Sequence, residues 1–270
     1  MKFSVLISCY FKENPDFLRQ ALESCVNQTL LPDEIVLVKD GPLTNSLEEV
    51  ISMFSLKNEG LLKIVALEEN VGLGAALSIG ILQCSFDHVI RMDTDDISRP
   101  KRFETQVKFA KKNPTIDVFG GYIEEFRNKP GDLKRYRKTP LTDDLIKNYI
   151  KKSSPMNHVT VMFKKAKVIN AGNYETFYGI EDCHLWARMM KNQSKFANIP
   201  EVLVDVRFNT DVLKRRKNFN YLKAEIKQHY FYYNTGIISL PRLVANITIR
   251  SCLRFLPSRL LDKFYAITRK

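Results

Sequence analysis

Val89-Ile90-Arg91-Met92-Asp93-Thr94-Asp95-Asp96 runs from a buried-strand pattern into three carboxylates within four residues. Side chains alternate along a strand, so at a strand end Asp93 and Asp95 point to one side. Two carboxylates held that close repel unless a cation lies between them. Oxygen ligands at this spacing suit Mg²⁺ or Mn²⁺, which keep positions open for phosphate oxygens. The competing reading is a polar turn after a strand, since Asp and Thr are common turn residues. The flanking chain decides between the two.

Before this stretch, strand and helix patterns alternate four times. Phe3 to Cys9 reads as a buried strand, and Phe17, Leu18, Ala21, Leu22, Cys25 and Val26 form a helical stripe. Glu34 to Val38 is a second strand ending in Lys39-Asp40-Gly41-Pro42, followed by a helix over Leu47 to Phe54. A third strand, Leu61 to Leu67, leads through Asn70-Val71-Gly72-Leu73-Gly74 into a helix, and His88 to Met92 delivers the acids. This order predicts a mostly parallel sheet with helices on both faces. In such sheets ligands gather beyond the carboxyl ends of the strands, where Asp40 and Asp93 to Asp96 both fall. Gly72 and Gly74 follow the third strand and lack a third glycine, so they are a poor dinucleotide fingerprint. As a helix start where backbone approaches a nucleotide, Gly72 fits.

After the cluster, Phe103 to Lys112 is helical, Ile116 to Tyr122 a strand, and Asn157 to Phe163 alternates like a strand. Lys165 to Asn170 is a short helix, and Cys183 to Met190 another, with Glu181-Asp182 at its start. Carboxylates are favoured there by the orphan N–H groups, so capping is one account of that pair.

The 270 residues, 44% apolar and 27% charged, suit one large globular domain with an appendage. The charge is uneven. From Val212 onward thirteen lysines and arginines face two acids, Glu225 and Asp262, so this segment carries +11 of the chain's +12. Five scattered cysteines without a Cys-x-x-Cys pair suit a reducing cytoplasm better than a disulfide framework. Lys2 to Ile7 reads as a strand and not as the core of a signal peptide. No stretch reaches the roughly 18 apolar residues of a membrane span.

In order along the chain, five segments resemble the family 2 glycosyltransferases, enzymes of the GT-A fold. They are Ser4 to Tyr10, Ala21 to Thr29 with Pro32 to Gly41, Asn70 to Leu77, Asp93 to Pro100, and Glu181 to Arg188. The match runs from residue 3 to about 207. It implies an α/β GT-A domain over 1–210, with a nucleotide half over about 1–100 and an acceptor half over about 101–210. Residues 211–270 would be a basic helical extension. Lys39 stands where many members carry an acid, and Ser78 where many carry Asn. No Gln-x-x-Arg-Trp signature of processive synthases occurs, which implies addition of a single sugar.

The resemblance, nearest to bacterial exopolysaccharide and O-antigen enzymes of the amylovoran type, also implies roles. The strand end with Ser8 and Tyr10 would cradle the base and Asp40 would bond it, with Gly72 close to the nucleotide. Asp95, helped by Asp93, would hold Mn²⁺ or Mg²⁺ on the diphosphate, and Asp182 would be the general base. One displacement inverts the anomeric centre. Glu181 would orient the acceptor or cap its helix, His158 would be a donor contact or a buried imidazole, and Arg91 would face the donor or be a solvated strand-end residue. Trp186 reads as core. The implied donor is a UDP-sugar, galactose favoured, and the acceptor a saccharide on undecaprenyl diphosphate. A nucleotidyltransferase, or a scaffold on a decayed transferase fold, are the alternatives.

Pro241 to Leu256 suits an amphipathic helix whose Arg242, Arg250 and Arg254 share an arc of about 120°. Leu243, Val244, Ile247, Ile249 and Leu253 are left for the apolar side. Pro257 would break it, and Arg259 with Lys263 would begin a second basic helix. Such a segment is read as an anchor on an anionic membrane surface, placing the protein in the cytoplasm at the inner face of the plasma membrane. The other reading is a helix pair packed on the body. Nucleic acid is not an expected partner, since no recognised module accompanies the charge.

Overall fold

The computed structural model describes residues 1–208 and 218–255, leaving aside the side chains of 253–255. The basic residues Lys214 to Lys217, the break at Pro257 and the second helix expected at Arg259 and Lys263 lie outside the described residues.

The first half is built from four parallel strands in the order β3-β2-β1-β4: β1 (Phe3–Cys9), β2 (Glu34–Lys39), β3 (Leu62–Ala66) and β4 (His88–Met92). Helices α1 (Pro15–Val26), α2 (Asn45–Lys57) and α3 (Leu73–Gln83) connect them. The α1 start is locally encoded: the Asn14 side chain accepts from Asp16 N at 2.8 Å, and Pro15 presets the first turn. Val5, Ile7, Ile35 and Leu37 face one core with Leu18 and Leu22. Leu6, Val36 and Val38 face the other with Ala76, Leu77 and Ile81. Burial on both faces explains why β1 and β2 are near-continuous apolar runs, whereas the edge strand β3 is partly exposed.

The second half mixes directions. Its elements are β5 (Ile97–Ser98), α4 (Arg102–Lys112), β6 (Val118–Phe126), β7 (Arg135–Arg137), α5 (Asp143–Tyr149), a 3₁₀ turn (His158–Thr160), β8 (Met162–Lys164), α6 (Lys165–Asn170), α7 (Glu181–Lys191) and β9 (Phe196–Arg207). The sheet continues β4-β8-β6-β9-β5, with β7 beside β6. β8 is antiparallel to β4 and β6, β9 parallel to β6, and β5 antiparallel to β9. The sheet is thus parallel over 1–92 and mixed beyond. The strand expected over Asn157 to Phe163 is corrected to this turn plus the short β8. Asn157 Nδ2 donates to Gly121 O at 2.7 Å, and Thr160 Oγ1 accepts from Gly121 N at 2.9 Å. Side chains there satisfy β6 backbone that a longer ladder would have used.

Helices α8 (Phe219–Asn234) and α9 (Leu240–Phe255) pack on this body. Tyr232, Ile238 and Leu243 join the core that holds Trp186 and Leu185. Asn246 Nδ2 donates to Lys151 O at 2.8 Å, and Arg250 donates to Lys152 O at 2.9 Å while pairing with Glu225. The expected division of α9 into an arginine face and an apolar side is corrected accordingly. Arg250 turns to the body because Glu225 meets it there. Leu243 is buried, whereas Val244 and Ile249 are exposed. Trp186 is wholly buried, as the sequence suggested.

Candidate functional site

Three adjacent parallel strands end at one edge. In register, Cys9 lies opposite Lys39 and Ile7 opposite Met92, so Tyr10, Asp40 and Asp93 each begin the loop just beyond. Ser8 is half-buried inside β1, and Tyr10 is exposed, packed edge-on against exposed Phe11 at 5.9 Å.

The acidic loop is clamped from both sides. β4 holds its start, and β5 pairs with β9, Ile97 opposite Asp205, to hold its end. Asp93, Asp95 and Asp96 bring ligand oxygens within 4.8 Å of one another. Arg91 is neither solvated nor turned outward. It is buried and grips Asp93 through both terminal nitrogens. Asp96 is buried and accepts from Arg207 N at 2.8 Å. Burial, with Asp93 and Glu13 adding to it, pushes the Asp95 carboxyl up to about 7. Burial and the neighbouring Asp95 push Asp96 well up too. Such a set favours a cation over solvent, and its hard oxygens fit Mg²⁺ or Mn²⁺.

Two supports of this loop escaped the sequence reading. Arg207 Nε donates to Asp95 O at 3.1 Å and NH2 to Gln20 Oε1 at 3.0 Å. Its guanidinium lies over the Phe17 ring at 3.7 Å and near the Phe126 ring at 4.6 Å. Glu13, from the loop after β1, accepts from Thr94 Oγ1. The carboxyl-end rule would have found Glu13. Nothing local marks Arg207.

Asp40 is more engaged than its expected role implied. Its Oδ1 accepts from Val71 N at 2.8 Å, and its Oδ2 from Gly72 N at 3.1 Å and Asn70 Nδ2 at 3.0 Å. The buried carboxylate therefore ties the 70–72 turn to the end of β2. Gly72 begins α3 at φ +86°, a conformation that favours glycine. Gly74 serves close packing: a Cβ there would lie 2.6 Å from Glu175 O and 2.9 Å from Glu181 Cγ. The α3 start thus abuts the segment leading to α7.

At α7 the capping account fails for Asp182. The helix is capped by Ile180 without a side-chain bond. Glu181 Oε1 accepts from Gly179 N at 3.1 Å, outside the helix. Asp182 Oδ2 accepts from Ser154 Oγ at 3.3 Å. Tyr174, unnoticed in the sequence, is buried where the charges of both acidic regions act on it. Its hydroxyl lies 2.9 Å from His158 Nε2, and burial raises its pKa amid the charges of Arg91, Asp182, Asp93 and Glu181. Burial and Arg91 keep His158 neutral.

A family model described as glycosyl transferase family 2 matches residues 4–172. An uncharacterized glycosyltransferase of Haemophilus influenzae is 44% identical over 98% of both chains. The UDP-Gal:alpha-D-GlcNAc-diphosphoundecaprenol beta-1,3-galactosyltransferase of Escherichia coli is 40% identical, over 98% of this chain and 95% of its own. The amylovoran biosynthesis glycosyltransferase AmsE of Erwinia amylovora is 39% identical over 99% of each. Among solved structures, residues 1–349 of S. aureus TarS in complex with UDP-GlcNAc superpose with a TM-score of 0.70 at 17% identity, over 93% of this chain and 72% of that one. This chain spans 43% of the longer TarS chain. The mannosyltransferase PcManGT of Pyrobaculum calidifontis, in complex with GDP-Man and Mn²⁺, gives 0.61 at 16% identity, over 98% and 79%.

Proposed function

This chain belongs to glycosyl transferase family 2, and on that premise we propose that it moves one hexose from a UDP-sugar to a saccharide on undecaprenyl diphosphate. It has the GT-A fold and is a transferase. The observation that carries the finer reading is the gathering of Asp93, Asp95 and Asp96 within 4.8 Å at the edge where Tyr10 and Asp40 also emerge. Galactose is the favoured sugar because the E. coli relative is a UDP-Gal enzyme with a diphosphoundecaprenol acceptor.

The exposed Tyr10 ring offers a face for the base. Asp40 keeps one Oδ1 lone pair for a uracil N–H, after fixing the turn at Gly72. Asp95 and Asp93 would hold Mn²⁺ or Mg²⁺, which supplies Lewis-acid stabilisation of the leaving diphosphate. Arg91 fixes Asp93, and Arg207 fixes the loop carrying Asp95 and Asp96. Asp182, half-exposed and not spent on capping, takes the proton of the acceptor hydroxyl. The hydroxyl oxygen bonds to the anomeric carbon as the bond to the nucleotide breaks, and a single displacement inverts that centre. An α-linked donor then gives a β-linkage. A lipid-borne acceptor would place the protein at the inner face of the plasma membrane. Among the described residues no helix is long and apolar enough to cross a membrane.

The test is transfer from a panel of nucleotide sugars to a diphosphate-lipid acceptor analogue, with Mn²⁺, with EDTA, and with Asp182→Ala. Expected is cation-dependent transfer of one galactose that is lost in Asp182→Ala. No turnover with any donor, together with donor binding indifferent to EDTA, would sink both the cation site and the reaction.

A further inference from the structure

α8 has two unlike faces. Ala224, Glu225, Gln228, His229 and Tyr232 are buried against the body. At 100° per residue Phe219, Ile226, Tyr230 and Tyr233 fall within an arc of about 60° on the opposite side. All four are exposed, Phe219 at 65% and Tyr230 at 57%. Exposed Lys223 borders the arc, its Nζ 4.9 Å from the Phe219 ring centre, and exposed Lys227 follows one step round the helix, its Nζ 4.9 Å from the Phe177 ring centre. On the neighbouring α9, Leu240 and Val244, about 40° apart at 100° per residue, are also exposed.

Charge limits what can cover this face. From Asn218 to Cys252 the single acidic residue is Glu225, buried and paired with Arg250. No carboxylate on either helix faces solvent. At the turn between the helices, a cavity of about 380 Å³ adds Lys147, Lys151 and Lys191 beside Asp144. A second copy docked through this same face would set lysines against lysines. An anionic bilayer meets both needs, because aromatic and aliphatic side chains enter the headgroup–acyl boundary while lysines reach phosphates.

We infer that the exposed face of α8, and not the arginine arc of α9, is the surface on which the protein docks onto anionic phospholipid. This rests on the reading that the acceptor is lipid-linked. α8 packs against the start of α7: Ala224 and Tyr221 contact the cluster of Ile180, Phe177 and Cys183, and His184 Nδ1 lies 2.9 Å from Gln228 Oε1. Docking through α8 therefore holds Asp182 at a fixed height over the lipid headgroups.

The experiment is sedimentation of the full chain with phosphatidylglycerol-containing vesicles and with pure phosphatidylcholine vesicles. Binding is expected to the former and is weakened by about 0.5 M salt. Replacing Phe219, Ile226 and Tyr230 together by Ser weakens it at least about tenfold. Lys223→Glu with Lys227→Glu weakens it at least roughly twentyfold. Both variants keep UDP binding and wild-type transfer to a short-chain, detergent-soluble acceptor. Vesicle binding unchanged in both variants, equal binding to the two lipids, or a dimer that the serine variant dissociates without any vesicle binding would each overturn the assignment. Failure of soluble transfer in the unmodified chain would instead sink the proposed donor and acceptor, leaving the vesicle result to stand alone.

Discussion

The two acidic regions at this edge are built in opposite ways. Asp93, Asp95 and Asp96 are crowded, largely buried and braced by Arg91, by Arg207 and by strands on both sides. Asp182 sits half-exposed on the first turn of a helix, with Ser154 at 3.3 Å as the partner of its Oδ2. The contrast follows from the tasks proposed for them. A cation site gains from carboxylates fixed close together, since their repulsion is what the ion relieves. A general base must keep a lone pair accessible, and each strong hydrogen bond it accepts would lower its basicity.

The comparison breaks most sharply at Asp182. Asp182→Asn should lower kcat by about 10²–10⁴-fold while leaving UDP binding unchanged, read by steady-state kinetics and calorimetry. Equal loss of donor binding would erase the distinction. Asp95→Asn should cost about 10²–10³-fold and also abolish the Mn²⁺ dependence of UDP binding. Arg207→Met removes the bonds to the Asp95 carbonyl and Gln20 but keeps the backbone bond to Asp96. About tenfold weaker donor binding is expected, with the pH profile of kcat unmoved. Unaltered binding would show that the strands alone fix the loop.

A smaller effect tests the seam between the two regions. In Gly74→Ala the new methyl meets the Glu175 carbonyl, so the segment leading to Asp182 must shift, at about 1–3 kcal/mol in urea unfolding. The smallest concerns the helix pair. Burial, then Arg250 and Arg242, lowers His229 from 6.5 to about 4. The unfolded chain therefore takes up a proton that the folded one refuses. This contribution is full above about pH 6.5 and is lost as pH falls toward 4. The fall in Tm over that window should be shallower in His229→Gln.

Much of this was legible in the chain. Strand and helix alternation placed Tyr10, Asp40 and Asp93 at strand ends, because apolar runs and helical stripes mark which segments are buried. The fused reading of Asn157 to Phe163 failed because apolar alternation does not reveal that the Asn157 and Thr160 side chains bond the neighbouring strand. The single apolar side expected on α9 failed because, at 100° per residue, Leu243 falls inside the arginine arc, and Glu225 on the preceding helix draws Arg250 inward beside it.

Sequence by itself determined the parallel half, the edge at which its loops emerge and the identity of the acids there, all properties of short segments. Tertiary structure decided what surrounds those acids. Arg207 reaches Asp96 across 111 residues, Val71 reaches Asp40 across 31, and Tyr174 reaches His158 across 16. Burial and charge at a site are set by whatever chain packs there, and no local pattern records which distant side chain that is.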